Sequence, residues 1–318
     1  KRGRRSASSR YSPASSAYVF YIYIFQIITR FGPNGGDGLA DSAVDLLDLI
    51  DPFVPAVSIE TKVWEVAIKM SRVRRYCAIL FSKDPTGDVG LYVTVKRIAR
   101  EIFELSEEGI VLVERGRISW ALDRRASDIS MKIPNVKISS GFIDVAEAVY
   151  SGECIAVVSE RGDPLGVISE DSLIKLMLKA IPQDLKASEI ASKPVEVIDL
   201  EAPLLEAIGI MIQKGFRRLV ITSGNKIVGI VTMLDIIHKV SEAHIKGDPE
   251  TMLIGSGVST IGYEEPVFVS EDTSVASLAR KLLNTRSKSV LVGDMENLLG
   301  IITEKDLIRV IKESISSL

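Results

Sequence analysis

The chain has 318 residues, 46% of them hydrophobic and 25% charged, with a formal net charge of −3. This is a globular composition, with apolar material for two ordinary domains or one large one. The near balance of charge excludes an overall basic field for nucleic acid, and the scattered Cys77, Cys154, His238 and His244 exclude a zinc-ligand spacing.

The N-terminal KRGRRSASSRYSPASSA is basic and Ser-rich, has no core to bury, and is expected to be disordered. AYVFYIYIFQII at 17–28 is about twelve apolar residues long, short of the ~20 that span a bilayer, and no A-x-A-like cleavage site follows it. It reads as a peripheral or poorly ordered segment, with membrane contact left open. FGPNGGDG at 31–38 is a Gly-rich linker. Residues 1–46 therefore stand apart. Both cysteines sit in apolar runs, YCAILF and ECIAVV, and are expected as buried strand residues of a reducing compartment, the cytoplasm, rather than as a disulfide.

From residue 48 onward one order of elements repeats. In the first unit VPAVSI (54–59) is a Pro-led strand, KVWEVAIKMSR (62–72) a helix, RRYCAILF (74–81) a strand, and VGLYVTVKRIAREIF (89–103) a strand running into a helix. GIVLVERGRISWAL (109–122) reads as an inserted hairpin around Arg115-Gly116. The second unit has IPNVKI (133–138), FIDVAEAVYSG (142–152), CIAVVS (154–159) and LGVISEDSLIKLML (165–178). The third has ASEIASKPVEVI (187–198), then a helix over 202–215 closed by Gly215. RRLVIT (217–222) and IVGIVT (227–232) follow as a hairpin, and MLDIIHKVSEA as a helix. The fourth has EPVFVS (265–270), SVASLARKLLNTR (274–286), KSVLVG (288–293), LLGIIT (298–303) and a last helix. The β-α-β-β-α order thus occurs four times, at about 48–106, 122–180, 185–243 and 256–314.

The ends of units three and four are nearly the same phrase, GIVTMLDII (229–237) and GIITEKDLI (300–308). A Thr that closes a strand before a helix sits where backbone N–H groups are unpaired and the dipole end is positive, which suits phosphate. Thr232 and Thr303 can add a hydroxyl there. Asp235 and Asp306 lie one turn further on the same face, and a carboxylate there can hold the two hydroxyls of a ribose. Gly229 and Gly300 let a backbone or ligand come close. Thr-x-x-Asp is also an N-capping pattern, and one copy alone would favour the cap. Recurrence at matching places tilts the reading toward a ligand. Arg217 and Arg218 open the second strand of unit three as either a solvated strand end or a phosphate clamp. Lys288-Ser289 takes that place in unit four, and Arg74-Arg75 in unit one.

The β-α-β-β-α unit with its Pro-led strand and terminal G-h-h-[ST]-x-x-D phrase resembles the CBS domain. The resemblance covers about 45–315 and is strongest over 185–314. It implies an α/β (α+β) fold of four CBS units in two pseudo-twofold Bateman modules, at 47–182 and 183–318. It implies a non-catalytic, energy-sensing regulator. Adenine nucleotide (AMP, ADP or ATP), or S-adenosylmethionine, would bind in the cleft of a pair and change module orientation to control an unknown protein partner. Carried over residue by residue, ribose falls to Asp235 and Asp306, and phosphate to Thr232, Thr303, Arg217 and Arg218. The adenine wall falls to Ile190, Pro194 and Val195, and to Pro266 and Val267. Self-association into flat dimeric discs is implied as well. Ser172 and Arg97 stand where units two and one would need the Asp, so ligand is expected in the second module. The first is expected as a packing or partner surface. The alternatives are a scaffold with vestigial sites and a nucleic-acid-linked regulator, the latter supported only by KRGRR. No nucleophile with its base, Walker loop or metal cluster points to an enzyme.

Overall fold

The computed structural model describes residues 46–82, 90–105, 111–112, 116–178 and 184–316. The basic tail, the apolar segment at 17–28 and the linker at 31–38 lie outside the described residues. Among the described residues no helix is long and apolar enough to cross a membrane.

A 3-10 turn, Leu46–Leu49, leads into β1 (Ala56–Ser58), α1 (Val63–Val73), β2 (Cys77–Phe81), β3 (Leu91–Thr94) and α2 (Val95–Ile102). Next come β4 (Glu104–Leu105), β5 (Val111–Leu112), α3 (Arg117–Asp123), α4 (Ala126–Ile129) and β6 (Met131–Lys132). The second repeat continues with β7 (Asn135–Lys137), α5 (Phe142–Gly152), β8 (Cys154–Val158), β9 (Pro164–Ser169) and α6 (Glu170–Met177). The third holds α7 (Ala187–Ile190), β10 (Val197–Asp199), α8 (Leu204–Lys214), β11 (Arg218–Ser223), β12 (Lys226–Thr232) and α9 (Met233–Ile245). After α10 (Pro249–Gly255) and a 3-10 turn, Val258–Thr260, the fourth holds β13 (Phe268–Val269), α11 (Val275–Asn284), β14 (Ser289–Gly293), β15 (Leu298–Thr303) and α12 (Glu304–Ser316).

The same local physics builds each repeat. The first strand pairs in parallel with the second, which requires a crossover, and the helix supplies it. The second and third strands form an antiparallel hairpin. In α8 the apolar residues Leu204, Ala207, Ile208, Met211 and Ile212 fall on one buried face, and Gly215 closes the helix in the left-handed conformation, φ 73°.

The segment leading into each repeat pairs with the third strand of another. Ile50 bridges Ile168, Met131 pairs with Tyr92, Ser192 bridges Ile301, and Glu264 bridges Ile230. Leaders are thus exchanged between repeats one and two, and between three and four. Sheets meet inside each exchange. Tyr92, Ile133, Ala156 and Val167 form a small core in the first pair, and Val220, Ile227, Ile230 and Leu291 in the second. The helices make two larger cores, one shared by repeats one and three and one by repeats two and four. Each fully buried Leu, Ile or Val there contributes about 1.5–3 kcal/mol.

Three expectations are corrected. In the insertion after α2, β4 pairs antiparallel with β5, and 117–123 is helical. Ile118, Ala121 and Leu122 are buried on one side of that helix, and this helical spacing was hidden inside a β-branched run. The strand register places Cys77 opposite Thr94 and Arg218 opposite Thr232, so Tyr76-Cys77 take the place of Arg217-Arg218. Arg74-Arg75 lie in the turn before it. Finally, Cys77 and Cys154 are joined in a disulfide with Cα atoms 6.6 Å apart. Each opens the second strand of its repeat, and these equivalent positions meet where the two sheets face each other.

Candidate ligand-binding clefts

Both Thr-x-x-Asp phrases start a helix, and in both the Asp carboxylate closes back on the Thr. Thr232 Oγ1 accepts from Asp235 N at 3.2 Å, while Asp235 Oδ2 accepts from Thr232 N at 3.1 Å and from its hydroxyl at 2.5 Å. Thr303 N and Oγ1 both donate to Asp306 Oδ2, each at 2.8 Å. The cap uses only Oδ2. Each Asp has Oδ1 left over for other partners, so capping and binding divide one carboxylate between its two oxygens.

At Asp306 the leader of repeat three supplies the opposite wall. Ser192 Oγ donates to Oδ1 at 2.8 Å. Arg309 Nη2 donates to Ile190 O at 3.0 Å and stands 3.6 Å from Oδ1. A Cβ on Gly300 would lie 2.8 Å from Ala191 Cβ and 3.2 Å from Ser192 O, so glycine is what lets this leader lie against β15. Ile190 is buried, Pro194 (after a cis peptide bond) is exposed, and Val195 is half-buried against the small core of Val220, Ile227, Ile230 and Leu291. The leader of repeat three, which carries the expected adenine wall, thus lies along β15 beside Asp306 of repeat four.

At Asp235 the arrangement is reciprocal but closed. Glu264 exchanges backbone hydrogen bonds with Ile230, and a Cβ on Gly229 would lie 2.3 Å from Tyr263 Cδ2. Pro266 and Val267, both half-buried, follow this leader. Here Oδ1 accepts from Arg74 Nη1 and from Arg286 Nη2, both at 2.6 Å. Burial pushes the carboxyl up, but Arg74, the Thr232 hydroxyl and Arg286 outweigh it and hold Asp235 below the usual carboxylate range. Arg74 arrives from repeat one, at the left-handed C-cap of α1, φ 54°. Arg74 and Arg286 also line a cavity of about 420 Å³ with Arg75, Lys175 and Lys288, against the acidic Asp171 and Glu264.

Arg217 and Arg218 do not serve as free clamps. Arg217 Nη2 donates to Glu170 Oε2 at 2.7 Å and stacks on the Tyr76 ring at 4.3 Å. Arg218 donates to Glu304 Oε2 at 3.2 Å and to Lys288 O at 2.7 Å. Both are buried, and acidic partners from other repeats take the positive charge that a phosphate would need. Burial, with Glu170 adding to it, pushes Glu304 up to about 8, against the pull of Arg217 and Arg218. Ser289 Oγ donates to Ser287 Oγ at 3.1 Å, and Lys288 Nζ donates to Leu283 O at 2.6 Å.

The clefts of repeats one and two are filled by the chain itself. The Ser169 hydroxyl donates to Asp51, whose carboxylate also accepts from Arg75 Nε at 2.6 Å. Ser172 takes the missing Asp's part in the cap, accepting from Ser169 N at 3.0 Å. Arg97, in the other cleft, donates to Ile129 O at 3.0 Å and pairs with Glu101 at 2.7 Å. Ser192, Arg286, Asp51 and Tyr263 were missed because they belong to leaders and turns of partner repeats, which alignment within one unit does not bring together.

The CBS domain family matches residues 187–242 and 258–313. MK0525 of Methanopyrus kandleri, uncharacterized, is 38% identical over 86 residues, 26% of this chain and 44% of its own. An uncharacterized 33.4 kDa protein of the Thermofilum pendens ribosomal RNA operon is 28% identical over 159 residues, 48% of this chain and 52% of its own. The chain spans about half the length of the curated relatives it matches. In fold, it is similar to the crystal structure of MJ1225 from Methanocaldococcus jannaschii, proposed as an archaeal homolog of g-AMPK. The TM-score is 0.71 at 17% identity, over 84% of this chain and 99% of that one. The architecture is mixed α/β, and within it repeats three and four, over 187–242 and 258–313, match the CBS domain.

Proposed function

We propose that the chain is a non-catalytic regulator whose second pair of repeats, 183–318, binds an adenine nucleotide (AMP, ADP or ATP), with S-adenosylmethionine as the competing ligand. The observation that carries this reading is the divided carboxylate of Asp306. Oδ2 closes the helix cap, while Oδ1 turns to a cleft where its close partner is the neutral Ser192 hydroxyl. Ribose hydroxyls can replace that hydroxyl one for one. Thr303 and the unpaired N–H groups of α12 then meet the phosphate, and Pro194 and Val195 the base. Because the cleft is built from two repeats, a ligand in it favours one relative orientation of the pair, and a partner that prefers that orientation responds. MJ1225, proposed as an archaeal homolog of g-AMPK, is consistent with an energy-sensing role. The first pair, 47–182, serves as packing or partner surface in a cytoplasmic homodimer.

The test is calorimetric titration of the full chain with AMP, ADP, ATP and S-adenosylmethionine, beside Asp306→Ala. Binding that is lost or weakened in Asp306→Ala supports the reading and names the ligand. No binding at millimolar concentration overturns it in favour of a scaffold.

A further inference from the structure

Cys77 and Cys154 are the only cysteines of the chain, and their bond joins repeats one and two. Each opens the second strand of its repeat, opposite Thr94 and Ser169. The register puts Arg218 and Ser289 at the same place in repeats three and four, opposite Thr232 and Thr303. There the second pair has a hydrogen bond where the first has a covalent one: Arg218 donates to Lys288 O at 2.7 Å. One residue earlier, the equivalent positions hold Tyr76, Glu153, Arg217 and Lys288. The Arg217 guanidinium lies over the Tyr76 ring at 4.3 Å, and its Nη1 is 3.9 Å from Glu153 Oε1. The residue before each cysteine thus meets the same arginine of the second pair. From there the contacts run on to the Asp306 cleft. Arg217 Nη2 stands 3.6 Å from Glu304 Oε2, and Arg218 Nη2 donates to the same oxygen at 3.2 Å. Glu304 is the first residue of α12 and follows Thr303, which closes on Asp306. Tyr76, Arg217 and Glu304 are all buried, so a shift of one is met by its packed neighbours rather than by water. Reduction would add hydrogens at Cys77, 2% exposed, and Cys154, 0% exposed, and overpacking a filled core moves the backbone around it.

Resting on the nucleotide reading, we propose that Cys77–Cys154 is a thiol–disulfide control site for the Asp306 cleft, and that Tyr76 is the positioning residue that carries its state across. With the bond closed, Tyr76 and Glu153 are fixed against Arg217, Glu304 is held, and α12 presents Thr303 and Asp306 to the ligand. A dithiol reductant breaks the Cys77–Cys154 bond and closes one between its own two sulfurs. Its two electrons and two protons pass to the protein, which is left with two thiols. The starts of β2 and β8 are then free to part, Tyr76 loosens from Arg217, and the cleft binds more weakly. The first pair of repeats thereby sets the affinity of a cleft in the second.

The experiment compares the oxidised full chain with the full chain refolded in dithiothreitol, since burial shields both sulfurs from direct exchange. AMP, ADP, ATP and S-adenosylmethionine are the calorimetric probes. The oxidised form is expected to bind its best probe about tenfold tighter than the reduced form, an ordinary coupling between two sites. Linkage makes the effect reciprocal. The same probe at saturation should lower the reduction potential of the disulfide by about 30 mV, the two-electron equivalent of that tenfold. A disulfide that only stabilises would lower the urea midpoint on reduction and move neither quantity. Tyr76→Leu, with the disulfide intact, is expected to weaken binding about fivefold and to erase the difference between the two forms. That variant decides the matter even where the reduced chain does not fold. Equal affinity in the two forms, or a Tyr76→Leu chain that binds like the oxidised wild type, overturns the inference and leaves the Asp306 reading standing. Absence of binding to either form of the wild type at millimolar concentration overturns both.

Discussion

The two pairs of repeats share one architecture and fill their clefts differently. In the first pair the chain's own charges occupy them: Asp51 holds the Ser169 hydroxyl and Arg75, and Arg97 reaches Ile129 O. In the second pair Asp306 faces a hydroxyl, and Asp235 is held by arginines from outside its own repeat. Losing the Thr-x-x-Asp phrase does not leave a hole. A buried hydroxyl or guanidinium still needs a partner, and an internal one has taken the place the phrase would give to a ligand. In the first pair, and at Asp235, cleft charges are thus paired within the chain, while Asp306 Oδ1 meets a neutral hydroxyl at close range.

The largest test of this contrast is on stability. Asp51→Ala takes from the buried Arg75 its closest carboxylate, leaving Asp171 at 3.2 Å as the acidic partner, and is expected to cost about 3–5 kcal/mol. Asp306→Ala removes a helix cap and is expected to cost about 1 kcal/mol. Urea midpoints of the two variants measure the difference, and equal losses would break the contrast. The disulfide comes next. Cys77 and Cys154 are 77 residues apart, and opening a loop of that size is expected to cost about 2–4 kcal/mol. Melting with and without reductant checks this, with Cys77→Ala as the control that reductant should no longer affect.

Binding is the third scale. Asp306→Ala is expected to weaken nucleotide affinity by about 2–3 kcal/mol, roughly 30- to 150-fold, by removing a charged acceptor of ribose hydroxyls. The converse variant sharpens the comparison. Ser172→Asp restores the phrase in repeat two, yet it should add no binding equivalent in calorimetry, because Asp51 still occupies the Ser169 hydroxyl.

What the sequence makes legible follows from range. The repeats and their order were readable because burial on one helix face leaves a period, as in Leu204–Lys214, and because Thr232 and Asp235 meet within one turn. The fold class and the cap were thus available locally. The partners of the site residues were not. Arg74 reaches Asp235 across 161 positions, Asp51 reaches Ser169 across 118, and Ser192 reaches Asp306 across 114. Each of these contacts joins repeats whose relative placement no single unit encodes. The same holds for Arg217 and Arg218, whose partners Glu170 and Glu304 come from other repeats.

Those two glutamates carry the smallest expected effect. Glu170 and Glu304 are equivalent first residues of α6 and α12, one from each pair, and both lie within 3.6 Å of Arg217 Nη2. Burial first, then Glu170, raises Glu304 from the ordinary 4.5 to about 8. The folded chain therefore keeps a proton there that the unfolded chain has lost. Between the unfolded value near 4.5 and the folded value near 8 the native state binds the extra proton, so stability is fully present below this window and falls as pH rises through it. The value near 8 already contains the pull of Arg217 and Arg218. From pH 6 to pH 8.5 a fall on the order of 2 kcal/mol is expected in urea unfolding. Glu304→Gln, which is neutral at every pH and still accepts from Arg218, should flatten that slope. An unchanged slope would place the proton elsewhere and leave the junction between the two pairs without a titrating carboxyl at Glu304.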